Sequence, residues 1–99
     1  GKKGRALFPD APTERGVRQI IELTKAKKRG YRACVLFLIQ RTDAKVFSPN
    51  DEVDPKFGAA LRKAALEGVE VYAHSAKFTG KEINLEKKIN VDLKFGKKD

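Results

Sequence analysis

The chain has 99 residues, 40% of them hydrophobic and 35% charged, with a formal net charge of +9 at pH 7. This is enough for one small globular domain, residues 1–99, with a core of a few packed elements; a second independent domain is not expected. No run approaches the roughly 18 apolar residues that a membrane-spanning helix needs, and no charged, apolar, small-residue leader opens the chain, so a soluble cytoplasmic protein is expected.

The distribution of charge says more than its sum. Residues 1–32 carry a net +7, residues 33–76 a net −1 and residues 77–99 a net +3, so both ends are basic and the middle is not. Such a balance favours polyanionic partners, through long-range attraction and counterion release. The competing reading is a solubilising basic surface of the kind found in lysine-rich thermostable proteins.

In chain order, Arg5–Phe8 is short and partly apolar, and Pro9-Asp10-Ala11-Pro12 stops it, which predicts the end of a strand followed by a helix start. Asp10 or Thr13 can cap that helix. Val17, Ile20, Ile21 and Thr24 repeat at i, i+3, i+4 and i+7, one buried stripe on a helix running to about Lys28. Arg15, Arg18, Gln19, Glu22 and Lys25 fall on its other sides. Lys25, Lys27, Lys28 and Arg29 then oppose the negative end of the helix dipole, and Gly30 supplies the stop.

From Tyr31 to Ile39 the chain is almost continuously apolar, which predicts a strand buried on both faces in the middle of a largely parallel sheet. Cys34, the single cysteine, falls inside this run; it reads as a small buried hydrophobe and has no partner for an internal disulfide. Gln40 and Arg41 end the run at the strand's carboxyl end, where open α/β sheets usually place ligands.

Thr42–Val53, with Ser48-Pro49-Asn50-Asp51 inside it, reads as a loop. Asp54-Pro55 then opens a helix, a capping acid followed by proline at the first helical position. Phe57, Leu61, Ala64 and Ala65 form its inward face, and Gly68 ends it. Val69, Val71 and Ala73 alternate with Glu70, Tyr72 and His74, which predicts a half-buried strand reached by a right-handed crossover and parallel to the earlier one. Ile83 and Leu85, then Ile89, Val91 and Leu93, predict a terminal hairpin near one sheet edge, with Lys94–Asp99 as a frayed tail. The expected fold is thus α/β: a three-layer-like mixed sheet with flanking helices, β-α-β-α-β plus a C-terminal β-hairpin.

An ordered set of motifs carries a resemblance. Phe8-Pro9-Asp10-Ala11, Thr13-x-Arg15-Gly16, Glu22-Leu23, Gly30-x-Arg32-Ala33 and Phe37-x-x-Gln40-Arg41-x-Asp43-Ala44 are followed by Asp54-Pro55-x-Phe57, Leu61-x-x-Ala64 and Gly68-Val69-Glu70. In order and spacing they resemble the sugar fermentation stimulation protein family from about Gly4 to Val91. The resemblance implies the second half of such a protein, a restriction-endonuclease-like fold preceded in the family by a small oligonucleotide-binding-type barrel. It also implies DNA binding, nuclease-like character and a link to sugar utilisation. The family's nuclease carboxylates and lysine would lie upstream of this segment, and Lys2 and Lys3 do not restore them. No catalytic residue is therefore expected here, no metal site and no cofactor, with a divalent metal reserved for a full-length nuclease-like protein. Gln19 departs from the family, which more usually carries histidine there.

Seven residues are candidates for DNA or phosphate contact. Thr13 and Arg15 open a helix, where free backbone donors, the dipole and a guanidinium suit a phosphate. Gln19 shares that surface one turn on. Gln40 and Arg41 are expected to emerge at the same pole if the sheet is parallel, and Arg18 and Arg32 are weaker candidates for backbone contacts. For each there is a plainer alternative: Thr13 caps, the arginines are solvated, and Gln40-Arg41 marks a strand surfacing. His74 stands alone, without the ligand spacing of a zinc site, and Asp51, Glu52 and Asp54 read as loop acids rather than a magnesium site. Ser48 and Ser75 lack a nucleophile context, and no glycine-rich phosphate loop is present.

Three functions remain open: a DNA-binding part of a nuclease-like protein, a non-catalytic scaffold that binds DNA through charge, and a basic module whose partner is a protein. Strands lying upstream in the family would leave one sheet edge unpaired in this chain, so self-association through that edge is expected as well.

Overall fold

The computed structural model describes residues 4–94. Its elements are β1 (Arg5–Phe8), α1 (Glu14–Lys28), β2 (Cys34–Ile39), β3 (Val46–Pro49), α2 (Pro55–Leu66), β4 (Glu70–Thr79) and β5 (Glu82–Val91). The five strands form one sheet in the order β1-β3-β5-β4-β2. β1 pairs parallel with β3, β3 with β5 and β2 with β4, while β4 and β5 are antiparallel. The mixed sheet and the parallel β2–β4 pair are as the sequence predicts. None of the described helices is long and apolar enough to cross a membrane.

Local chemistry explains both helices. Thr13 is the N-cap of α1, its Oγ1 accepting from Gly16 N–H at 2.9 Å, and Gly30 leaves the helix with φ of +98°, a conformation that costs glycine little. Asp54 caps α2, accepting from Phe57 N–H at 3.1 Å, with Pro55 directly behind it. α1 buries Ile20 and Thr24, and α2 buries Phe57, Gly58, Leu61 and Ala64. Ile21, expected on the buried stripe of α1, is 43% exposed, and Leu23 packs on the core in its place. Ala65 is only half-buried.

The two helices contact each other and share one core with Ala6, Phe47, Ala73 and Ile89 of the strands. The rings of Phe8, Phe37, Phe47 and Phe57 tie β1, β2, β3 and α2 together, Phe37 stacking on Phe47 at 4.5 Å. The described residues thus form two layers, a sheet and a helix pair; the opposite sheet face is uncovered among them.

The structure corrects four expectations. Thr42–Val53 is not all loop, because Val46–Pro49 forms β3 and Phe47 is completely buried. Four residues ending in proline are too few to show a period, so the turn composition beside them dominated. β2 lies at an edge rather than in the middle, and its exposure alternates: Cys34, Leu36 and Leu38 are exposed while Val35, Phe37 and Ile39 turn inward. Cys34 is accordingly not buried.

The terminal hairpin is also built differently. Residues 83–85 and 89–91 belong to one strand, β5, whose partner is β4, and the chain turns at Gly80-Lys81. β5 occupies the sheet centre, not an edge. A register shift between His74 and Ala76 explains the misreading: Ala73 is opposite Ile89 but Ala76 is opposite Leu85. An extra residue in β5 puts Leu85 and Ile89 on opposite faces despite their even spacing. Of the predicted tail, residues 95–99 lie outside the described residues, as do Lys2 and Lys3.

Candidate nucleic-acid interface

α1 turns Ile20 and Thr24 inward, and helical spacing then groups Arg15, Arg18, Gln19, Glu22 and Lys25 on its solvent side. Together with Ile21 and Leu23 they line one open groove. Arg18 lies 4.0 Å from Glu14, one turn before it, and Lys25 lies 3.4 Å from Glu22. Both pairs are well exposed and hold their cations only loosely. Arg15 is exposed and makes no ion pair among the described residues. The groove therefore offers three cations and one amide that can be redirected toward a polyanion.

A second groove lies where the two helices begin, lined by Pro12, Thr13, Glu14, Val17 and Arg18 on one side and by Val53, Asp54, Pro55 and Lys56 on the other. Asp54 dominates it. Its Oδ2 accepts from Thr13 N–H at 2.9 Å while Oδ1 accepts from Phe57 N–H, so one carboxylate ties both helix starts together. The bond from Thr13 N–H holds the Asp54 carboxyl below the usual range, with the Phe57 N–H adding to it. A negative group already stands where the helix dipoles would attract a phosphate, which leaves this pole less suited to an anion than the flank of α1.

The remaining candidates are engaged elsewhere. Arg41 grips Asp43 through Nε at 3.0 Å and Nη2 at 2.8 Å, and its Nη1 donates to Arg5 O at 2.9 Å, fastening the 41–43 turn to β1. This pair draws the Asp43 carboxyl below its ordinary value. Gln40 is exposed beside it. Arg32 forms a bidentate pair with Glu70, at 2.7 and 2.9 Å, and Tyr72 donates to the same carboxylate. Those two donors, Arg32 foremost, hold Glu70 at about 2.

Of the seven candidates, then, the structure brings Arg15, Arg18 and Gln19 into one groove and places Thr13 beside Arg18 in the next. Among the described residues no hydrogen bond or ion pair joins Gln40, Arg41 or Arg32 to that group. Lys56 was not foreseen in this neighbourhood; its only sequence signal is its place just after the capping Asp54-Pro55.

Among the described residues no three His, Cys, Asp or Glu side chains come together. Asp51 is held by Arg62 at 2.7 and 2.9 Å, and Asp54 serves the two helix starts.

Comparison with known proteins decides the family. The family described as "Sugar fermentation stimulation protein RE domain" matches residues 1–82. The chain belongs to the sugar fermentation stimulation protein family. A sugar fermentation stimulation protein homolog of Caldanaerobacter subterraneus subsp. tengcongensis is 53% identical over 90 residues, covering 91% of this chain and 39% of the relative. One from Clostridium perfringens is 50% identical over 92 residues, covering 93% of this chain and 40% of its own length. The chain thus spans about two-fifths of the length of these family members. Among solved structures, that of Pyrococcus furiosus SfsA in complex with Ca2+ superposes with a TM-score of 0.83 at 31% identity, over 93% of this chain and 40% of the other. The α/β fold expected from the family motifs is that of this SfsA.

Proposed function

We propose that the chain is a DNA-binding part of a nuclease-like protein of the sugar fermentation stimulation family, cytoplasmic and linked to the control of sugar utilisation. It is not catalytic by itself. The observation that carries this reading is the groove on α1, where Arg15, Arg18, Gln19 and Lys25 stand together on a chain of net charge +9. Backbone phosphates are the natural targets, because guanidinium groups contact them bidentately and loose surface pairs such as Arg18–Glu14 give way at little cost. Thr13 holds the helix start in place, and Gln19 is positioned for a hydrogen bond to a base or phosphate. Cleavage would fall to residues the longer relatives carry beyond the match. The solved Pyrococcus furiosus SfsA is in complex with Ca2+, which supports a divalent ion in the longer protein.

The test is binding to labelled duplex and single-stranded DNA across a salt series, for the chain and for Arg15→Ala. Each phosphate contact contributes about 0.9 to the slope of log K against log salt on duplex DNA. Arg15→Ala should weaken binding and lower the slope by about 0.9, one contact's worth. An unchanged slope would reduce the interaction to general charge, and no binding at low salt would remove DNA from the account.

A further inference from the structure

We propose that α1 lies in the major groove of duplex DNA, with its two ends on opposite phosphate strands and its middle on base edges. This deepens the DNA-binding reading of the α1 groove and rests on it. Charge along the helix is the first observation. Arg15, Arg18, Gln19, Glu22, Lys25 and the C-cap Arg29 are all exposed. Helical spacing sets them on one solvent ridge, with cations at both ends and an amide and an acid between. Lys27 does not join them, since its Cε lies against Gly68.

Helix chemistry accounts for only half of this pattern. Lys25 and Arg29 sit at the negative end of the helix dipole, where cations are favoured, but Arg15 and Arg18 sit toward the positive end, where they are not. Glu14 is the acid of the first turn, and it holds Arg18 only at 4.0 Å. A track for one phosphate strand does not account for the rest, because Glu22 would stand against it. Its pairing with Lys25, at 3.4 Å between well-exposed groups, only partly masks that charge. A helix crossing a groove accounts for both ends and the middle at once: the ends meet phosphates, and the middle meets base edges, some of which donate to an acid.

Dimensions are the second observation. At 1.5 Å per residue, Arg18 and Lys25 are about 10 Å apart along the axis and Arg15 and Arg29 about 21 Å apart. The major groove, about 12 Å wide, falls between these spans. The minor groove, about 6 Å wide, does not admit a helix about 10–12 Å across. Gln19 and Glu22 then face the groove floor, where a glutamine pairs bidentately with N6 and N7 of adenine and a carboxylate accepts from N4 of cytosine. Their spacing is about 4.5 Å along the axis, against about 3.4 Å for one base-pair step, so the preferred duplex carries an adenine and a cytosine about one or two base pairs apart. α1 turns Ile20 and Thr24 into the core, and among the described residues nothing covers the ridge.

The test is selection of the full chain on random-sequence duplexes, then titration of the selected duplex and a scrambled one across a salt series. The selected duplex should carry that adenine and cytosine and bind more tightly than its separate strands. Glucosylated hydroxymethylcytosine, which crowds only the major groove, should weaken binding about tenfold or more, whereas inosine for guanosine, which alters only the minor-groove edge, should not. Gln19→Ala and Glu22→Gln should each cut the preference for the selected over the scrambled duplex roughly tenfold. Lys25→Ala and Arg29→Ala should weaken both duplexes alike and lower the salt slope by about 0.9 each. All four side chains are exposed, so each variant should keep the parent's circular dichroism spectrum. Salt-dependent binding without sequence preference, indifferent to the glucosyl group, or as tight to single strands would overturn the groove-crossing helix and leave DNA binding standing. Failure to bind any duplex at low salt would end both readings.

Discussion

Truncating Phe47 to alanine is the sharpest test of the fold, because by composition the residue belongs to a loop and in three dimensions it is the middle of the core. Its side chain is completely buried on β3, stacked 4.5 Å from Phe37 with the ring planes 25° apart. Phe→Ala at such a site costs about 3–5 kcal/mol, the lost transfer energy plus the cavity left behind. A domain of this size holds only about 5–15 kcal/mol in all. At roughly 4–8 °C per kcal/mol for small domains, Tm should fall by at least about 12 °C. A residue on an exposed loop would change stability by no more than about 0.5 kcal/mol, roughly 4 °C or less. Thermal unfolding followed by circular dichroism separates the two ranges. A double-mutant cycle with Phe37→Leu should add a coupling of about 0.5–1.5 kcal/mol for the stacked rings. A fall in Tm under about 4 °C with no coupling would refute the placement of β3 in the sheet.

Two further predictions concern polar contacts. Arg32 and Tyr72 hold Glu70 at about 2 against an ordinary 4.5, so this group's contribution to stability is complete above 4.5 and disappears as the pH falls toward about 2. Urea midpoints measured against pH should therefore place Glu70→Gln below the parent at neutral pH, with a shallower acid limb and the gap closing as the pH falls toward about 2; identical acid limbs would contradict the assignment. Asp54→Ala removes the acceptor of two helix starts, whereas Thr13→Ala removes only that of Gly16 N–H. Tm should consequently fall further for Asp54→Ala than for Thr13→Ala, with Asp54→Asn between the parent and Asp54→Ala, and the reverse order would show that the carboxylate does not join the helices.

Much of the local structure was legible in the residues themselves. Thr13, Asp54-Pro55 and Gly30 act on their nearest neighbours, so the boundaries of both helices follow from capping chemistry that any chain obeys. The ordered motifs from Phe8 to Glu70 carried the family, and helical spacing alone put Arg15, Arg18 and Gln19 on one flank. Tertiary structure decided the rest. The order of strands depends on contacts between residues far apart in sequence, so an apolar run such as β2 could not announce whether it lay at the centre or the edge. Arg41 and Arg32 read equally well as phosphate ligands until folding brought Asp43 and Glu70 against them. Leu85 and Ile89 face opposite ways because one extra residue opposite Ser75 reverses the facing of β5 midway, and that reversal exists only where two strands meet.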